Sequence, residues 1–227
     1  VHLALDGPPR WAAGDDLAGF AYVHIGPSVQ DMARAYADAM AGLLPTEPLL
    51  VVGQTTAVDP SRAPRGTHLL WIQVRPLPAA IAGDAAGEIS ARTWAEAREP
   101  FAARVLDKLE RYAPGVRGQI RASAVLAPDD LERANPCLVG GDSIGGSHHL
   151  DQNGPLRPLA GWSRYRTPIE GLWMVGAATW PGAGVHGISG RAAALSILSE
   201  QRGARLLAAR ARVAGAQVAR ARAALRR

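Results

Sequence analysis

Residues 168–199 read PIEGLWMVGAATWPGAGVHGISGRAAALSILS, and this stretch decides the fold that the second half of the chain is predicted to adopt. The apolar run Leu172–Val175 predicts a buried strand that ends at Gly176. A glycine-rich loop follows, and the small residues from Arg191 to Leu198 predict a helix. Glycine lets the backbone approach a ligand closely, and free N–H groups at a helix start attract negative charge. Strand, glycine loop and helix therefore predict an anion-binding turn; the alternative is a tight turn whose glycines serve packing only.

The first 135 residues carry a different pattern, with short strands and helices separated by Pro and Gly. Ser28 predicts the N-cap of a helix whose apolar residues share one face, namely Val29, Met32, Ala33, Tyr36, Met40 and Leu43. Strands are predicted at 1–6, 20–25, 49–52, 67–74 and 120–126, and helices at 90–113 and after Pro128. This order predicts an α+β domain over residues 1–135 with a mostly antiparallel sheet.

Composition and charge exclude several classes of protein. The 227 residues are 48% hydrophobic and 20% charged, as in globular proteins, and no run of about 18 apolar residues predicts a membrane-spanning helix. The single cysteine, Cys137, excludes an internal disulfide, and the pair His148–His149 lacks a distant third ligand, so no metal site is expected. Residues 1–199 hold 17 basic and 19 acidic residues, whereas residues 200–227 hold eight arginines and one acid. The basicity is therefore local, and no specific nucleic-acid partner is expected.

The basic tail, residues 200–227, is rich in Ala and Arg, which predicts a helix. Its apolar residues are too irregularly spaced to favour a coiled coil: Leu206, Leu207, Val213, Val218 and Leu225. The tail is a solvated helix, a peripheral contact with anionic lipid or a nonspecific contact with nucleic acid. The chain begins without a signal-peptide pattern, so a cytoplasmic protein, at most peripheral to a membrane, is expected.

From Arg164 onward, the sequence RYRTPIEGLWMVGAATWPGAGVHGISGRAAA resembles the C-terminal flavin-binding motif of phytoene desaturase-like FAD-dependent oxidoreductases. Other stretches agree in order: HLALD at 2–6, VDPSRAPRG at 58–66, ERYAPG at 110–115, PDDLER at 128–133, LDQ at 150–152 and RP at 157–158. The resemblance implies FAD as cofactor and hydride transfer from an apolar small-molecule substrate to flavin N5, as in a desaturase or dehydrogenase. It also implies that residues 1–135 form the substrate domain and residues 136–199 the C-terminal part of a split, Rossmann-like FAD-binding domain.

The nucleotide cradle of such a domain is not found in this sequence. In the family it is supplied by an N-terminal Rossmann unit with GxGxxG, and no strand–GxGxxG–helix pattern occurs here. Val1 also falls inside a predicted strand and is not an initiating Met. We therefore expect a C-terminal fragment or a subunit, inactive alone, whose Rossmann half lies in cis or on a separate chain. The rival hypothesis is a non-catalytic or partner-dependent binding module of a split flavoenzyme.

The resemblance implies seven cofactor-binding residues and no assigned catalytic residue. Gly176 and Ala177 would lie beside the ribityl or pyrophosphate portion; the remaining five, under the isoalloxazine, are Gly184, Val185, His186, Gly187 and Ile188. Backbone N–H groups near 187–188 would face flavin N1 and O2. Three positions depart from the family pattern: Trp180 and Gly145 stand where His is common, and Ala183 where Gly is common.

A second motif suggests a different chemistry. Gly141–Gly145 fits GxSxG, the nucleophile elbow of serine hydrolases, and Asp151 and His186 follow Ser143 in the order of a catalytic triad. That elbow requires a strand before the serine and a helix after it. Residues 146–158 do not predict a helix, so the hydrolase is kept only as a further alternative.

Overall fold

The computed structural model describes residues 1–147 and 149–224 and divides into two compact units, Val1–Gly141 and the residues from Asp142 onward. The strands are β1 His2–Leu5, β2 Tyr22–Ile25, β3 Leu43–Leu44, β4 Leu49–Gly53, β5 His68–Arg75, β6 Gly83–Asp84 and β7 Ile120–Ala124. The helices are α1 Val29–Met40, α2 Thr55–Val58, α3 Trp94–Tyr112, α4 Pro128–Ala134 and α5 Ile188–Ala224. Across the described residues, no helix combines the length and the apolar character needed to cross a bilayer.

The core of the first unit lies on one face of a five-stranded antiparallel sheet of order β2-β4-β5-β1-β7. Side chains alternate between the two faces of a strand, and the core face carries Leu3, Leu5, Leu50, Val52, Leu70 and Ile72, all at most 2% exposed. Helix α3 adds to the same core a row of residues spaced four apart: Ala97, Phe101, Val105 and Leu109. The predicted antiparallel sheet and the predicted long helix are both confirmed.

Ion pairs join α3 to the segments around β3 and β6. Arg104 donates to both carboxylate oxygens of Asp84, at 2.6 and 2.7 Å, and the Asp84 side chain is 1% exposed. The buried Lys108 places Nζ 3.2 Å from Glu47 Oε2, and Arg111 donates to the same oxygen at 2.7 Å. Burial raises the pKa of Glu47, but hydrogen bonds and charge from Arg111 and Lys108 outweigh burial and lower this pKa. These ion pairs fix the position of α3 relative to the segments that contain Glu47 and Asp84.

Helix α1 begins at the predicted cap, because the Ser28 hydroxyl accepts a hydrogen bond from the Asp31 N–H at 3.1 Å. Its apolar stripe is nevertheless largely exposed: Val29 is 78% and Met40 79% exposed, and Ala35 is the buried residue of the helix. Among the described residues of this unit, no element covers the stripe. The pattern thus predicted the helix and its start, but carries no information on which face is buried.

The second unit does not contain the buried strand predicted at Leu172–Val175. Trp173 forms an isolated antiparallel bridge with Arg166, while Leu172 and Val175 are 50% and 53% exposed. The prediction is wrong because an apolar run is buried as a strand only where other strands and layers cover it. Within the described residues of this unit, this run forms one isolated β-bridge, to Arg166, and no strand.

Helix α5 starts before the predicted position, at Ile188 instead of Arg191, and continues to Ala224 as one helix. Earlier in this unit, short 3₁₀ turns lie at Leu150–Gln152 and Gly154–Leu156. Of the sequence features singled out above, His148 and Leu225 lie outside the described residues, and of four residues in α5 the backbone alone is described: Leu206, Leu207, Val213 and Val218.

Candidate functional site

The segment from Gly176 to Gly187, called the glycine loop below, connects the exposed apolar run to helix α5. Four of its glycines have positive φ: 112° at Gly176, 106° at Gly182, 147° at Gly184 and 63° at Gly187. Residues with a Cβ rarely adopt these conformations because the side chain collides with the backbone. The path of the loop therefore requires glycine at these positions.

The start of the glycine loop is hydrogen-bonded to the start of α5 and folded into two turns. The Gly176 N–H donates to Ser189 Oγ at 3.1 Å, and the Gly176 carbonyl accepts from the N–H and the hydroxyl of Thr179, at 3.1 and 2.9 Å. Gly182 then donates to the Thr179 carbonyl at 2.8 Å. Ser189 and Thr179 are both buried. The first half of the loop is therefore a fixed, internally bonded structure.

The second half of the loop is open to solvent. Gly184, Val185, His186, Gly187 and Ile188 are all exposed, and Val185 is fully exposed at the tip. Within residues 1–147 and 149–224, the backbone N–H groups from Gly184 to Gly187 have no hydrogen-bond acceptor. Consecutive free donors beside the start of a helix are suited to binding an anionic or oxygen-rich ligand.

His186 is held at the end of this open segment. Its Nδ1 accepts a hydrogen bond from the Ile188 N–H at 3.0 Å, so the neutral ring carries its proton on Nε2 in this arrangement. A Cβ at Gly184 would lie 2.7 Å from His186 Cδ2, which is a second reason for glycine there. The N–H at 188 is therefore already engaged, and the free donors lie at the four preceding residues.

Ala177 is held from behind by a buried arginine that the sequence pattern did not single out. Arg157, 2% exposed, donates from Nε and Nη2 to the Ala177 carbonyl at 3.1 and 2.8 Å. Its remaining bonds go to the carbonyls of Ser147, Gln152 and Gly145, at 2.7, 3.3 and 2.7 Å. Arg157 occurs in the RP dipeptide of the sequence, but a dipeptide gives no sign that its arginine is buried.

Tyr165 supports the middle of the glycine loop. It is a buried non-glycine residue with a φ of 67°, and its hydroxyl donates to the Trp180 carbonyl at 3.1 Å. Burial raises the pKa of Tyr165, so the hydroxyl keeps its proton and its role as donor. Trp180 itself is 41% exposed, at the point where the bonded half of the loop passes into the open half.

The serine-hydrolase alternative is not supported by this geometry. No hydrogen bond joins Ser143, Asp151 and His186 among the described residues, and His186 Nδ1 is occupied by the Ile188 N–H. Ser143 lies in a turn, and short 3₁₀ turns follow where the elbow requires a helix. The motif match is a consequence of a glycine-rich loop.

Comparison with known proteins identifies relatives of this chain. No protein-family model matches the chain. It is 32% identical over 203 residues to pyridine nucleotide-disulfide oxidoreductase domain-containing protein 2 of Mus musculus, a match covering 86% of this chain and 34% of the relative. It is 28% identical over 186 residues to a limonene dehydrogenase subunit of Castellaniella defragrans, covering 80% and 33%. It is 31% identical over 156 residues to phytoene dehydrogenase of Streptomyces griseus, covering 67% and 28%.

The chain is a homologue of the phytoene desaturases. The family resemblance stated from the motifs is thereby confirmed. This phytoene desaturase homologue spans about a third of the length of the relatives that it matches.

One departure of this homologue from the family pattern has a structural explanation. Gly145, where His is common, has a φ of 72°, and a Cβ there would lie 2.8 Å from the Ala177 Cβ. Glycine thus allows the loop around 145 to lie directly against Ala177. The substitutions at Trp180 and Ala183 are not explained by the structure.

Proposed function

We propose that this chain supplies one side of the flavin site of an FAD-dependent oxidoreductase of the desaturase or dehydrogenase type. The observation that carries the proposal is the open half of the glycine loop, with free N–H groups from Gly184 to Gly187 beside the start of α5. The names of the relatives support the reaction class, since they include a phytoene dehydrogenase, phytoene desaturases and a limonene dehydrogenase subunit. By analogy, the substrate is an apolar small molecule.

The residues present fit a flavin dinucleotide. From Gly171 to Ser199 the sequence contains no Asp or Glu, so no carboxylate of this segment would repel an anionic ligand. Helix starts carry a partial positive charge, which favours negative charge on a bound group by roughly 0.3–1 kcal/mol. Ala177 offers no carboxylate toward a ribityl hydroxyl, so this segment would contact the cofactor through its backbone.

The chemistry divides simply between cofactor and protein. Bound FAD would supply the hydride acceptor at N5. The residues of this chain would bind and orient: the N–H groups of 184–187 donate to oxygen and nitrogen acceptors on the ring, and the bonded turn at 176–182 fixes where those donors lie. No acid or base of the chain is assigned to the reaction.

The exposed apolar run of the second unit supports the proposal that further structure covers it in the complete protein. Leu172, Met174 and Val175 are 50%, 37% and 53% exposed, which is costly for contiguous large apolar side chains in water. We infer that a Rossmann-like nucleotide-binding half, in cis or as a separate chain, covers them and completes the split FAD-binding fold. The domain scheme of residues 1–135, 136–199 and 200–227 belongs to this proposal.

A non-catalytic or partner-dependent module is the second candidate. One relative is named as a subunit of a limonene dehydrogenase, which supports a division into separate chains. A protein in which the nucleotide-binding half and this chain are encoded together supports the single enzyme; separate reading frames with co-purifying products support the subunit. The contribution of this chain to the flavin site is the same in both cases.

The free N–H groups are tested with a matched pair of substitutions at the loop tip, one charged and one neutral. Val185 is fully exposed, so neither Val185→Asp nor Val185→Asn should disturb folding. In the complete flavoprotein, Val185→Asp should weaken FAD binding about two- to fivefold and lower the reduction potential, because a carboxylate opposes the charge of reduced flavin. Val185→Asn should change neither. If the two variants bind FAD equally and have equal reduction potentials, the loop does not lie at the flavin site.

A further inference from the structure

Arg157 is a buried charge whose bonds go to the backbone. Within the part of the chain that the structure describes, its guanidinium is bonded only to carbonyl oxygens, those of Gly145, Ser147, Gln152 and Ala177. Among the described residues, no carboxylate lies within ion-pairing distance of it. A buried arginine is ordinarily paired, because carbonyl dipoles solvate its charge without neutralising it. The surroundings of Ala177 therefore carry an uncompensated positive charge.

The same bonds fix the direction of one peptide group. In a trans peptide the C=O and the following N–H point to opposite sides. Because Arg157 holds the Ala177 carbonyl with two of its nitrogens, the Ala178 N–H points away from the guanidinium. Ala178 is exposed, and its N–H has no acceptor within residues 1–147 and 149–224. A backbone donor without an acceptor among the described residues thus lies on the side of this peptide group opposite the buried positive charge.

We propose that Arg157 is a positioning residue that orients the Ala178 N–H toward a phosphate oxygen of the dinucleotide cofactor. The inference rests on the proposed flavin function. The uncompensated charge favours an anionic acceptor over a neutral hydroxyl, because the guanidinium and the amide act on it in the same direction. Gly145 also contributes to this geometry. Because it has no Cβ, its backbone lies directly against Ala177 while its carbonyl accepts a hydrogen bond from Arg157.

The test is a double-mutant cycle on FAD affinity in the complete flavoprotein. Arg157→Lys keeps the charge but cannot bond all four carbonyls, and should weaken FAD binding about tenfold. Replacing Ala178 by lactic acid turns the 177–178 amide into an ester, which removes the N–H and also makes the Ala177 carbonyl a weaker acceptor for Arg157. This change should also cost about tenfold. If Arg157 acts through that N–H, the two changes together should cost far less than a hundredfold.

The control is Arg202→Met, which removes an exposed arginine of the same unit outside the flavin-binding motif and should alter affinity by less than about twofold. Thermal unfolding of the apoproteins establishes that each variant is folded. Additive losses, or FAD binding unchanged by the ester, would overturn the role of Arg157 while leaving the flavin function standing. If the unmodified complete protein binds no FAD, both proposals fail together.

The same cycle is run on the stability of the apoprotein, because the weaker ester carbonyl couples to Arg157 even without a ligand. A purely structural arginine would show this coupling in stability and additive losses in FAD affinity, whereas a positioning arginine shows coupling in FAD affinity. As a second readout, inorganic pyrophosphate should compete with FAD in the unmodified protein and about tenfold less well in the ester variant. Competition unchanged by the ester would show that the donor does not face phosphate.

Discussion

The carboxylate of Asp84 should make the first unit sensitive to acid. Burial raises the pKa of Asp84, but the Arg104 guanidinium and the N–H groups of Ile89 and Glu88 outweigh burial and lower this pKa from 3.8 to about 2. Those N–H groups donate at 3.0 and 2.9 Å. One pKa unit corresponds to about 1.4 kcal/mol, so the ionised Asp84 contributes about 2 kcal/mol to the free energy of unfolding at neutral pH.

The sign follows from the direction of the shift. A carboxylate whose pKa is lower in the folded state contributes its full stabilisation above its unfolded pKa, near pH 4, and loses it as the pH falls toward 2. Asp84→Asn should therefore cost about 2 kcal/mol at pH 6 and flatten the dependence of stability on pH between 4 and 2. Urea unfolding, followed by the fluorescence of the buried Trp11 and Trp94, measures both effects.

Asp107 provides the matched control. Its side chain is 73% exposed and pairs with Arg117 at the surface, so Asp107→Asn should leave the free energy of unfolding nearly unchanged. If Asp84→Asn were as stable as the unmodified chain at pH 6, or if it kept the full loss of stability between pH 4 and 2, the reasoning from the buried pair would be refuted.

Three further predictions concern stability. Thr93→Ala removes the side-chain half of the capping box that starts α3 and should cost about 1 kcal/mol in urea unfolding. Gly141→Ala should be more destabilising than Gly154→Ala, although both glycines have positive φ. A Cβ at Gly141 would lie 2.5 Å from Pro128, whereas a Cβ at Gly154 would have no atom within 4 Å. Equal unfolding midpoints of the two variants would contradict this. Removing residues 203–227 should leave the urea midpoint of the first unit unchanged; a large decrease would show that the tail stabilises it.

The glycine loop was accessible to sequence reasoning because glycine at positive φ is a local requirement. Gly176, Gly184 and Gly187 were named from the sequence, and each has a φ that residues with a Cβ avoid. Their role toward a cofactor stays a prediction. Arg157 was not accessible in the same way, because nothing local distinguishes an arginine that bonds four carbonyls from one that lies in solvent.

The sequence by itself determined the local structure and the family. Alternation predicted the antiparallel strands, Ser28 marked the start of α1, and the motifs from Arg164 onward identified the relatives. Each of these depends on steric and hydrogen-bonding preferences within a few residues of chain. Only the tertiary structure decided burial: it left the α1 stripe and Leu172–Val175 exposed and enclosed Arg157. Burial depends on which distant segments come to lie against a residue, and no pattern within the segment itself contains that information.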